Sequence, residues 1–438
     1  MTAQVLSNKT IFIFWAPLLF LWLVLAFEFP LLTIIITYLP DKQLNLAAFG
    51  LAYSLFLLAE SPLLMFNTVA IKLIKNKQSY EKVRNFFIYV VSFLLICMML
   101  FVLTPLYQYL FITRLSFDRT IAVISQHVVT ILLPAFAIAG FKAFYQGVLI
   151  SRDKQPIIFY AIIFRFISSV VTAVCLANFS SLNSAYVAAI GFSIGLFVEA
   201  TITRVFARKP IHGIFEVKSS YKLSYYRISH FYYPLIITTV ASIITTPIIT
   251  IFLNYGLNPT LSLAVFPVIN GFIMIFKSTA MSLQNVVIYF LNLSEENKLQ
   301  LKKFFALITL IMFAVLFGII FTPLLNIYLT KINVLQSDLS QAAVLPLKIL
   351  IIYPLLTLLV IWQRSVIIHQ LKTHVLTWSV FAELIGLVLP LVLFYNFYPM
   401  NGLLSASIAL IIGRVCSNIL LFIAQTRIDS LSHHTPKY

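Results

Sequence analysis

Long, continuous apolar runs separated by short polar segments make up most of the chain. A helix needs about 20 apolar residues to cross the hydrocarbon core of a bilayer, which is roughly 30 Å thick, and these runs reach that length. Only 10% of the residues are charged, whereas soluble domains average about 25%. Barrel strands would give shorter segments in which apolar and polar residues alternate. The sequence therefore predicts an all-α polytopic membrane protein whose solvent is the lipid bilayer.

Hydropathy predicts about twelve transmembrane helices. Each predicted span is an apolar run bounded by charged, proline-containing or otherwise polar segments. The spans are 11–38, 46–73, 86–110, 121–148, 156–177, 184–206, 230–253, 261–290, 304–328, 341–368, 373–396 and 402–425.

Basic residues concentrate near the ends of even-numbered spans and in the segments that follow them. These residues are Lys72, Lys75, Lys77, Lys82, Arg84, Lys142, Arg152, Lys154, Arg204, Arg208, Lys209, Lys218, Lys222, Arg227, Lys298, Lys302, Lys303, Arg364 and Lys372. The segments after odd-numbered spans contain Lys42, Arg114, Arg119 and Lys331. Cytoplasmic loops carry the excess of lysine and arginine, so both termini are predicted to be cytoplasmic in a multi-pass protein of the plasma (inner) membrane. This topology accounts for the net charge of +17 without a nucleic-acid partner.

An internal repeat aligns the two halves of the sequence at an offset that stays nearly constant along the chain. Aligned positions include Pro17 with Pro234, Pro30 with Pro247, Thr104-Pro105-Leu106 with Thr322-Pro323-Leu324, Lys154 with Lys372, and Gly195 with Gly413. Each half contains six predicted spans, an even number, so both halves keep the same orientation in a parallel tandem repeat. We predict an N-terminal lobe at 1–206, a basic cytoplasmic linker at 207–229 and a C-terminal lobe at 230–438. Two such lobes predict a secondary transporter that works by alternating access.

Charged residues at depth in the predicted spans are candidates for function, because a charge in hydrocarbon is costly. Four of them suggest structural ion pairs. Arg165 aligns with Glu383 in the repeat, and Glu199 lies about one helical turn from the position that aligns with Arg414. We therefore predict two equivalent interhelical pairs with exchanged polarity, Arg165 with Glu199 and Glu383 with Arg414.

The remaining buried charges suggest a substrate and coupling site between the lobes. Glu60 aligns with Lys277 in the repeat, which predicts a gate pair near the pseudo-twofold axis. Lys277 is the leading candidate for contact with an anion, with Lys348 or Arg414 assisting, and Glu28 or Glu60 is expected to couple to an ion such as a proton. Uncharged polar candidates on the equivalent spans 2 and 8 are Asn67, Asn270, Ser278 and Gln284. Each of these four is also compatible with ordinary hydrogen bonding between helices.

The sequence contains no HExxH, GxSxG, Walker A or CxxC motif. Each of these motifs places nucleophiles, metal ligands or phosphate-binding amides at a fixed spacing. We therefore expect neither an enzyme nor a bound cofactor or metal.

Two segments resemble known transporter families. The stretch Phe49-Gly50-Leu51-Ala52-Tyr53-Ser54-Leu55, followed by Pro62, Phe66 and a basic loop, is similar to the progressive ankylosis protein family. The stretches Tyr232-Tyr233-Pro234-Leu235 and Pro247-Ile248 also look like that family. The two six-helix halves resemble the multidrug/oligosaccharidyl-lipid/polysaccharide (MOP) exporter superfamily, which includes the MATE transporters.

This resemblance implies export of a small polyvalent anion such as citrate, pyrophosphate or a nucleotide, with a coupling proton or sodium ion, by a monomer. Lysine and arginine at depth suit such a substrate, because they bind carboxylate and phosphate through charge-assisted hydrogen bonds. One alternative is a proton- or sodium-coupled MATE-type exporter of drugs or siderophores. Span 1 contains Glu28, as that alternative requires, but span 7 contains no acid. A second alternative is a lipid-headgroup flippase, and a third is a membrane-embedded enzyme or scaffold.

Overall fold

A computed structural model describes residues 7–152, 154–217, 221–293, 297–370, 374–397 and 401–434. Within them, twelve helical segments are long and apolar enough to cross a membrane. These segments are Asn8–Thr37, Lys42–Leu73, Lys77–Leu103, Arg119–Ile150, Gln155–Phe179, Ser184–Phe215, Tyr225–Tyr255, Pro259–Leu291, Asn297–Ile320, Ser337–His369, Val375–Phe397 and Gly402–Arg427. The predicted all-α architecture with twelve spans is confirmed. The basic residues Lys218 and Lys372 lie outside the described residues.

Several spans consist of more than one helix. In chain order the helices are α1 (Asn8–Thr37), α2 (Lys42–Leu64), α3 (Phe66–Leu73), α4 (Lys77–Leu103), α5 (Leu106–Gln108), α6 (Arg119–Ile150), α7 (Gln155–Phe179), α8 (Ser184–Phe215), α9 (Tyr225–Ile243), α10 (Thr245–Tyr255), α11 (Pro259–Leu293), α12 (Asn297–Ile320), α13 (Leu324–Asn326), α14 (Ser337–Leu350), α15 (Ile352–His369), α16 (His374–Phe397) and α17 (Gly402–His434). Two π-helical segments, Tyr109–Arg114 and Ile327–Ile332, follow α5 and α13.

The predicted ends of spans 3 and 9 were wrong, because both helices stop before a Thr-Pro pair. Helix α4 ends at Leu103 and α12 at Ile320, whereas the predicted spans continued to 110 and 328. Proline disfavours the helical conformation of the residue before it and donates no backbone hydrogen bond. The Thr104 hydroxyl donates to the Leu100 carbonyl at 2.7 Å and accepts the backbone N–H of Leu106 at 3.3 Å. These two bonds satisfy backbone groups that the break would otherwise leave without partners.

The tandem repeat is confirmed at the level of backbone conformation. The Thr-Pro break, the short helix and the π-helical segment recur at the equivalent place in the second half, where the Thr322 hydroxyl accepts the N–H of Leu324 at 3.3 Å. Left-handed backbone conformations recur as well: Ser116 (φ 52°) aligns with Val334 (φ 47°), and Asp41 (φ 53°) aligns with Asn258 (φ 52°). Non-glycine residues rarely adopt positive φ, so the match at two turns reflects a common structure of the two halves.

Packing divides the chain into two compact units. The N-terminal unit is residues 31–254, and the C-terminal unit comprises residues 1–30 and 255–438. These units differ from the predicted lobes, because most of span 1 packs with spans 8–12 and span 7 packs with spans 2–6. The lobe boundaries at 206 and 230 therefore describe the repeat in sequence rather than the packing.

The first span of each half thus packs with the other half, which we call the exchange of first spans. Two aromatic residues at equivalent positions hold the exchanged spans in place. In the C-terminal unit, the Trp15 indole N–H on α1 donates to the Ser282 hydroxyl on α11 at 2.7 Å. In the N-terminal unit, the Tyr232 hydroxyl on α9 donates to the Pro62 carbonyl on α2 at 2.9 Å, and its ring lies 4.7 Å from that of Phe66. Trp15 and Tyr232 align in the repeat, each two positions before an aligned proline. Each anchors the first span of its half to the second span of the other half.

The predicted linker at 207–229 is shorter in the structure. Helix α8 continues to Phe215, and α9 begins at Tyr225. The end of the connection is held on the start of α4. The Asn76 side-chain amide donates to the Tyr221 carbonyl at 2.9 Å, and the Gln78 amide both donates to Leu223 and accepts from it. The segment around Tyr221 and Leu223 lies against the start of α4 because Asn76 and Gln78 pair with its backbone groups.

Candidate functional site: two buried charge clusters

A cluster of charged side chains lies between α6, α7 and α8 in the N-terminal unit, and Glu199 is at its centre. The Glu199 side chain is 1% exposed. Its carboxylate accepts a hydrogen bond from Arg165 Nη1 at 3.0 Å and one from Gln146 Nε2 at 2.8 Å. Lys142 Nζ lies 3.7 Å away. The Arg165 guanidinium also lies over the Phe192 ring, 5.2 Å from its centroid. We call this group the Glu199 cluster.

A second cluster lies between α15, α16 and α17 in the C-terminal unit. Arg414 Nη2 is 3.0 Å from Glu383 Oε1 and donates to the Tyr353 hydroxyl at 2.6 Å. Its guanidinium lies 4.8 Å from the centroid of the Tyr353 ring. Arg364 lies beside this pair, because its Nη2 donates at 3.4 Å to the hydroxyl of Ser379, which is one helical turn before Glu383 on α16. We call this group the Glu383 cluster.

The two clusters occupy equivalent places in the repeat but exchange the positions of their charges. In the register that aligns Gly195 with Gly413, Arg165 aligns with Glu383 and Gln146 aligns with Arg364. Each cluster contains one carboxylate and two basic groups. The sum of formal charges is therefore the same in both clusters, although the helices that carry the charges differ.

Close approach of two helices accompanies each cluster. A Cβ on Gly195 of α8 would lie 2.9 Å from the Arg165 carbonyl oxygen, and a Cβ on Gly413 of α17 would lie 2.7 Å from the Glu383 carbonyl oxygen. The two glycines align in the repeat, as do the residues that they face. Small residues let helix backbones approach closely in lipid, and here they bring the charged side chains within bonding distance.

Arg165 and Glu199, and Glu383 and Arg414, are thus brought together as ion pairs within their units. The structural role assigned to them remains a prediction. Arg414 was also a candidate for substrate contact, but it is 6% exposed and its guanidinium is bonded to Glu383 and Tyr353.

The other predicted site residues are placed as follows. Glu28 on α1 and Glu60 on α2 are buried, at 4% and 5% exposure. Lys277 on α11 is half-buried, whereas Lys348 on α14 is exposed, with its Nζ 5.8 Å from the centroid of the Phe321 ring. The uncharged candidates Asn67, Asn270 and Gln284 are half-buried, and Ser278 is buried.

Ser278 is occupied within its own helix. Its hydroxyl donates to the Ile275 carbonyl at 2.6 Å, as the hydroxyl of the equivalent Ser61 donates to Leu58 at 2.8 Å. Glu60 belongs to the N-terminal unit and Lys277 to the C-terminal unit, and their predicted gate pairing remains a prediction.

Four members of the clusters were not predicted: Lys142, Gln146, Tyr353 and Arg364. Lys142 and Arg364 were assigned to cytoplasmic segments, but both lie inside helices, and Lys142 is only 8% exposed. The alignment of Gln146 with Arg364 in the repeat was a signal that could have identified two of them.

Among the described residues, no group of three or more His, Cys, Asp or Glu side chains is arranged to hold a metal ion. The clusters combine carboxylate with guanidinium, ammonium and amide groups, which suit ion pairing and anion contact rather than metal coordination.

Twelve candidate spans in a tandem repeat, with buried charge clusters at equivalent places, define a polytopic all-α membrane-protein architecture. An inward-facing multidrug resistance MATE family transporter of the MOP superfamily matches with a TM-score of 0.73 and 13% identity, covering 94% of this chain and 96% of that chain. The lipid II flippase MurJ in an inward closed conformation matches with a TM-score of 0.70 and 15% identity, covering 94% and 87%.

A MOP superfamily transporter from Pyrococcus furiosus, described as having a binding pocket of reverse polarity, matches with a TM-score of 0.64 and 15% identity, covering 97% of this chain and 96% of that one. No protein-family model and no curated protein matches the sequence. The structural matches show that the chain has a MATE-like fold. The more specific resemblance to the progressive ankylosis protein family remains a prediction.

Proposed function

We propose that this protein is a secondary active transporter that alternates between inward- and outward-facing states and exports a small polyvalent organic anion or phosphate compound. The MATE-like fold and the parallel repeat support the transporter class, because a molecule built from two similar halves can open to either side of the membrane. The matched proteins are described as transporters or as a flippase.

The position of Lys277 is the observation that supports an anionic substrate. It lies about halfway along the span Pro259–Leu291 and is half-buried. Within its unit, no carboxylate of a described residue lies within 4.0 Å of its ammonium group. A membrane-embedded lysine with no compensating acid is costly unless an anion binds to it during function. Arg414 already pairs with Glu383, so we assign it to positioning helices rather than to the substrate.

The test is efflux from proteoliposomes loaded with labelled citrate, pyrophosphate or ATP. Saturable efflux of one of these anions is expected from the wild type. Lys277→Ala should abolish it and Lys277→Arg should retain part of it, because guanidinium also binds carboxylate and phosphate. Lys303→Ala is the matched control, since it removes the same charge at an exposed position near the start of α12. Equal efflux from the wild type and both alanine variants would contradict the proposal.

Coupling to an ion gradient is the second part of the proposal. Glu28 and Glu60 are buried acids in spans 1 and 2, and buried carboxylates are suited to bind a proton or sodium ion. Efflux should therefore respond to an imposed proton or sodium gradient. Glu28→Gln or Glu60→Gln should remove that response while the protein still binds the anion.

The likeness to MurJ supports a second candidate, movement of a lipid-linked anion. The same proteoliposomes with a fluorescent lipid-linked phosphate distinguish the two candidates. Flipping of the lipid without efflux of any free anion would favour the flippase. Gradient-driven transport of an organic cation without either activity would favour a MATE-type drug exporter.

A further inference from the structure

A groove opens on the surface of the C-terminal unit between α12, α15 and α17. Its volume is about 570 Å³. Helix α12 contributes residues at helical spacing, so one face of the helix forms one wall. The lining residues are Lys302, Phe305, Ala306, Thr309, Leu355, Leu356, Leu359, Trp362, Gln363, Phe422, Gln425 and Thr426. All three helices belong to candidate membrane spans, so the groove lies on a part of the protein that contacts lipid.

Polar and apolar groups are separated along the groove. Lys302 lies near the start of α12, and Gln425 and Thr426 lie in the last turns of the span on α17. From this end, α12 rises about 10 Å to Thr309 at 1.5 Å per residue. The Phe305 and Trp362 rings are in contact, 5.3 Å between centroids, so Trp362 on α15 lies at about the same depth as Phe305 on α12. Leu359 and Leu355 therefore lie deeper than the polar end.

The charge of the lining residues determines which ligand charge is favoured. Lys302 is the one charged residue among those that line the groove in the described part of the chain. It is exposed, so its ammonium can reach a headgroup at the bilayer surface while its stem covers apolar surface. A negatively charged headgroup therefore complements this end.

Gln363 provides an independent sign of an occupant. The residue is 3% exposed, and its side-chain oxygen has no hydrogen-bond partner among the described residues. A buried acceptor without a donor is destabilising unless a ligand or water supplies one. The hydroxyl groups of a glycerol headgroup are donors of the required kind.

We propose that this groove binds one anionic phospholipid of the glycerol-headgroup type. The phosphate lies at Lys302, a headgroup hydroxyl donates to Gln363, and one acyl chain lies along Phe305, Trp362 and Leu359. The site is separate from Lys277 and does not depend on the proposed transport activity.

Trp362 is a built-in reporter of occupancy. A variant that keeps Trp362 and carries phenylalanine at the other three tryptophans is reconstituted in phosphatidylcholine vesicles. A trace of phosphatidylglycerol or phosphatidylcholine with brominated acyl chains is then added. The brominated phosphatidylglycerol should quench Trp362 at lower mole fractions than brominated phosphatidylcholine does. A variant that keeps only Trp378, which is exposed on α16, should be quenched equally by both lipids.

Lys302→Ala should raise the half-saturating mole fraction of phosphatidylglycerol roughly fivefold, the equivalent of about 1 kcal/mol for one basic residue at an anionic surface. Lys303→Ala is the matched control and should leave it unchanged. Equal quenching of Trp362 by the two lipids, or equal effects of the two alanine substitutions, would overturn the proposal. So would quenching that falls as protein density rises irrespective of headgroup, because a second copy of the chain would then cover the groove.

The chain with all its tryptophans provides a second measurement. After purification in detergent, phosphatidylglycerol retained per protein should fall in Lys302→Ala but not in Lys303→Ala. Equal retention by wild type and both variants would also overturn the proposal, even where the single-tryptophan chain fails to fold.

Discussion

Replacing Glu199 with glutamine isolates the energetic role of the Glu199 cluster. The substitution keeps the shape of the side chain and its potential to bond Gln146, but it removes the negative charge that Arg165 and Lys142 share. Both bases are 8% exposed, so water cannot replace the carboxylate. Removing one partner of a buried ion pair typically destabilises a protein by about 3–5 kcal/mol. We expect Glu199→Gln to lower the free energy of unfolding by that amount.

The effect of Lys142→Gln on stability should change sign when Glu199 is also replaced. In the wild type, Lys142→Gln removes a partner at 3.7 Å but leaves the closer Arg165–Glu199 pair neutral. We therefore expect a smaller loss than Glu199→Gln causes, because no uncompensated charge remains in the cluster. In the Glu199→Gln background, the same change removes one of two uncompensated buried positive charges and should stabilise the protein. The coupling between the two sites should be within the range of about 0.5–3 kcal/mol that is typical of contacting residues.

The assay is reversible unfolding by sodium dodecyl sulfate in mixed micelles, followed by far-ultraviolet circular dichroism. Glu216→Gln is the matched control, because it makes the same substitution at an exposed position just after α8 ends. The reasoning is refuted if Glu199→Gln unfolds at the same detergent fraction as Glu216→Gln. It is equally refuted if Lys142→Gln lowers stability by the same amount in both backgrounds.

Two further predictions concern packing and a buried phenol. Gly195→Ala and Gly413→Ala should each destabilise the protein by about 1–3 kcal/mol, because the added Cβ would lie 2.9 Å and 2.7 Å, respectively, from a facing carbonyl oxygen. Gly213→Ala is the control: its Cβ would have no atom within 4 Å, so it should not destabilise the protein in the same unfolding assay. Tyr107→Phe should lose about 1 kcal/mol at neutral pH, because it removes the 2.8 Å hydrogen bond to Ser125. Burial raises the pKa of Tyr107 above its ordinary value, so the folded state retains this proton more strongly than the unfolded state. The wild type should therefore lose stability as the pH rises above about 10, and Tyr107→Phe should lose less, as measured by unfolding between neutral and alkaline pH.

Hydropathy was sufficient to predict the class of fold and the number of spans, because hydrocarbon leaves few choices other than a helix for a long apolar run. The helix ends were harder to predict. Residues 104–110 are apolar enough to continue a helix, but Pro105 ends α4 locally. The repeat contained the necessary signal, since a Thr-Pro pair at the same place in both halves indicates a turn that both halves need.

The exchange of first spans could not be read from hydropathy, because an apolar helix can bury its surface equally well against either half. Two polar bonds accompany ring contacts at these packing sites. The Trp15 N–H and the Tyr232 hydroxyl each need an acceptor in an apolar environment, and each finds it on the second span of the opposite half. Sequence alone identifies the donors but not the acceptors.

Alignment in the repeat predicted the partners within each ion pair, but Lys142 and Arg364 were counted with the basic residues of the cytoplasmic segments. Lys142 and Arg364 lie near the predicted cytoplasmic ends of α6 and α15 and resemble ordinary topogenic lysine and arginine residues. Only packing distinguishes a basic residue that reaches water from one that turns inward toward a carboxylate. Positive-inside counting is insensitive to this difference, since it registers charge and not direction.

The exchanged polarity of the two clusters limits what they can be doing. A substrate-binding residue must present one particular charge at one particular place, whereas an ion pair that holds three helices together needs only complementary charges somewhere among them. Arg165 aligns with Glu383, yet each half still contains one acid bonded to a base on a neighbouring helix and a second base close by. Conserving the set of charges while exchanging their positions is what a packing role permits. No carboxylate of a described residue in the C-terminal unit lies within 4.0 Å of the Lys277 ammonium group, so Lys277 is a better candidate than these paired bases for contact with the proposed anionic substrate.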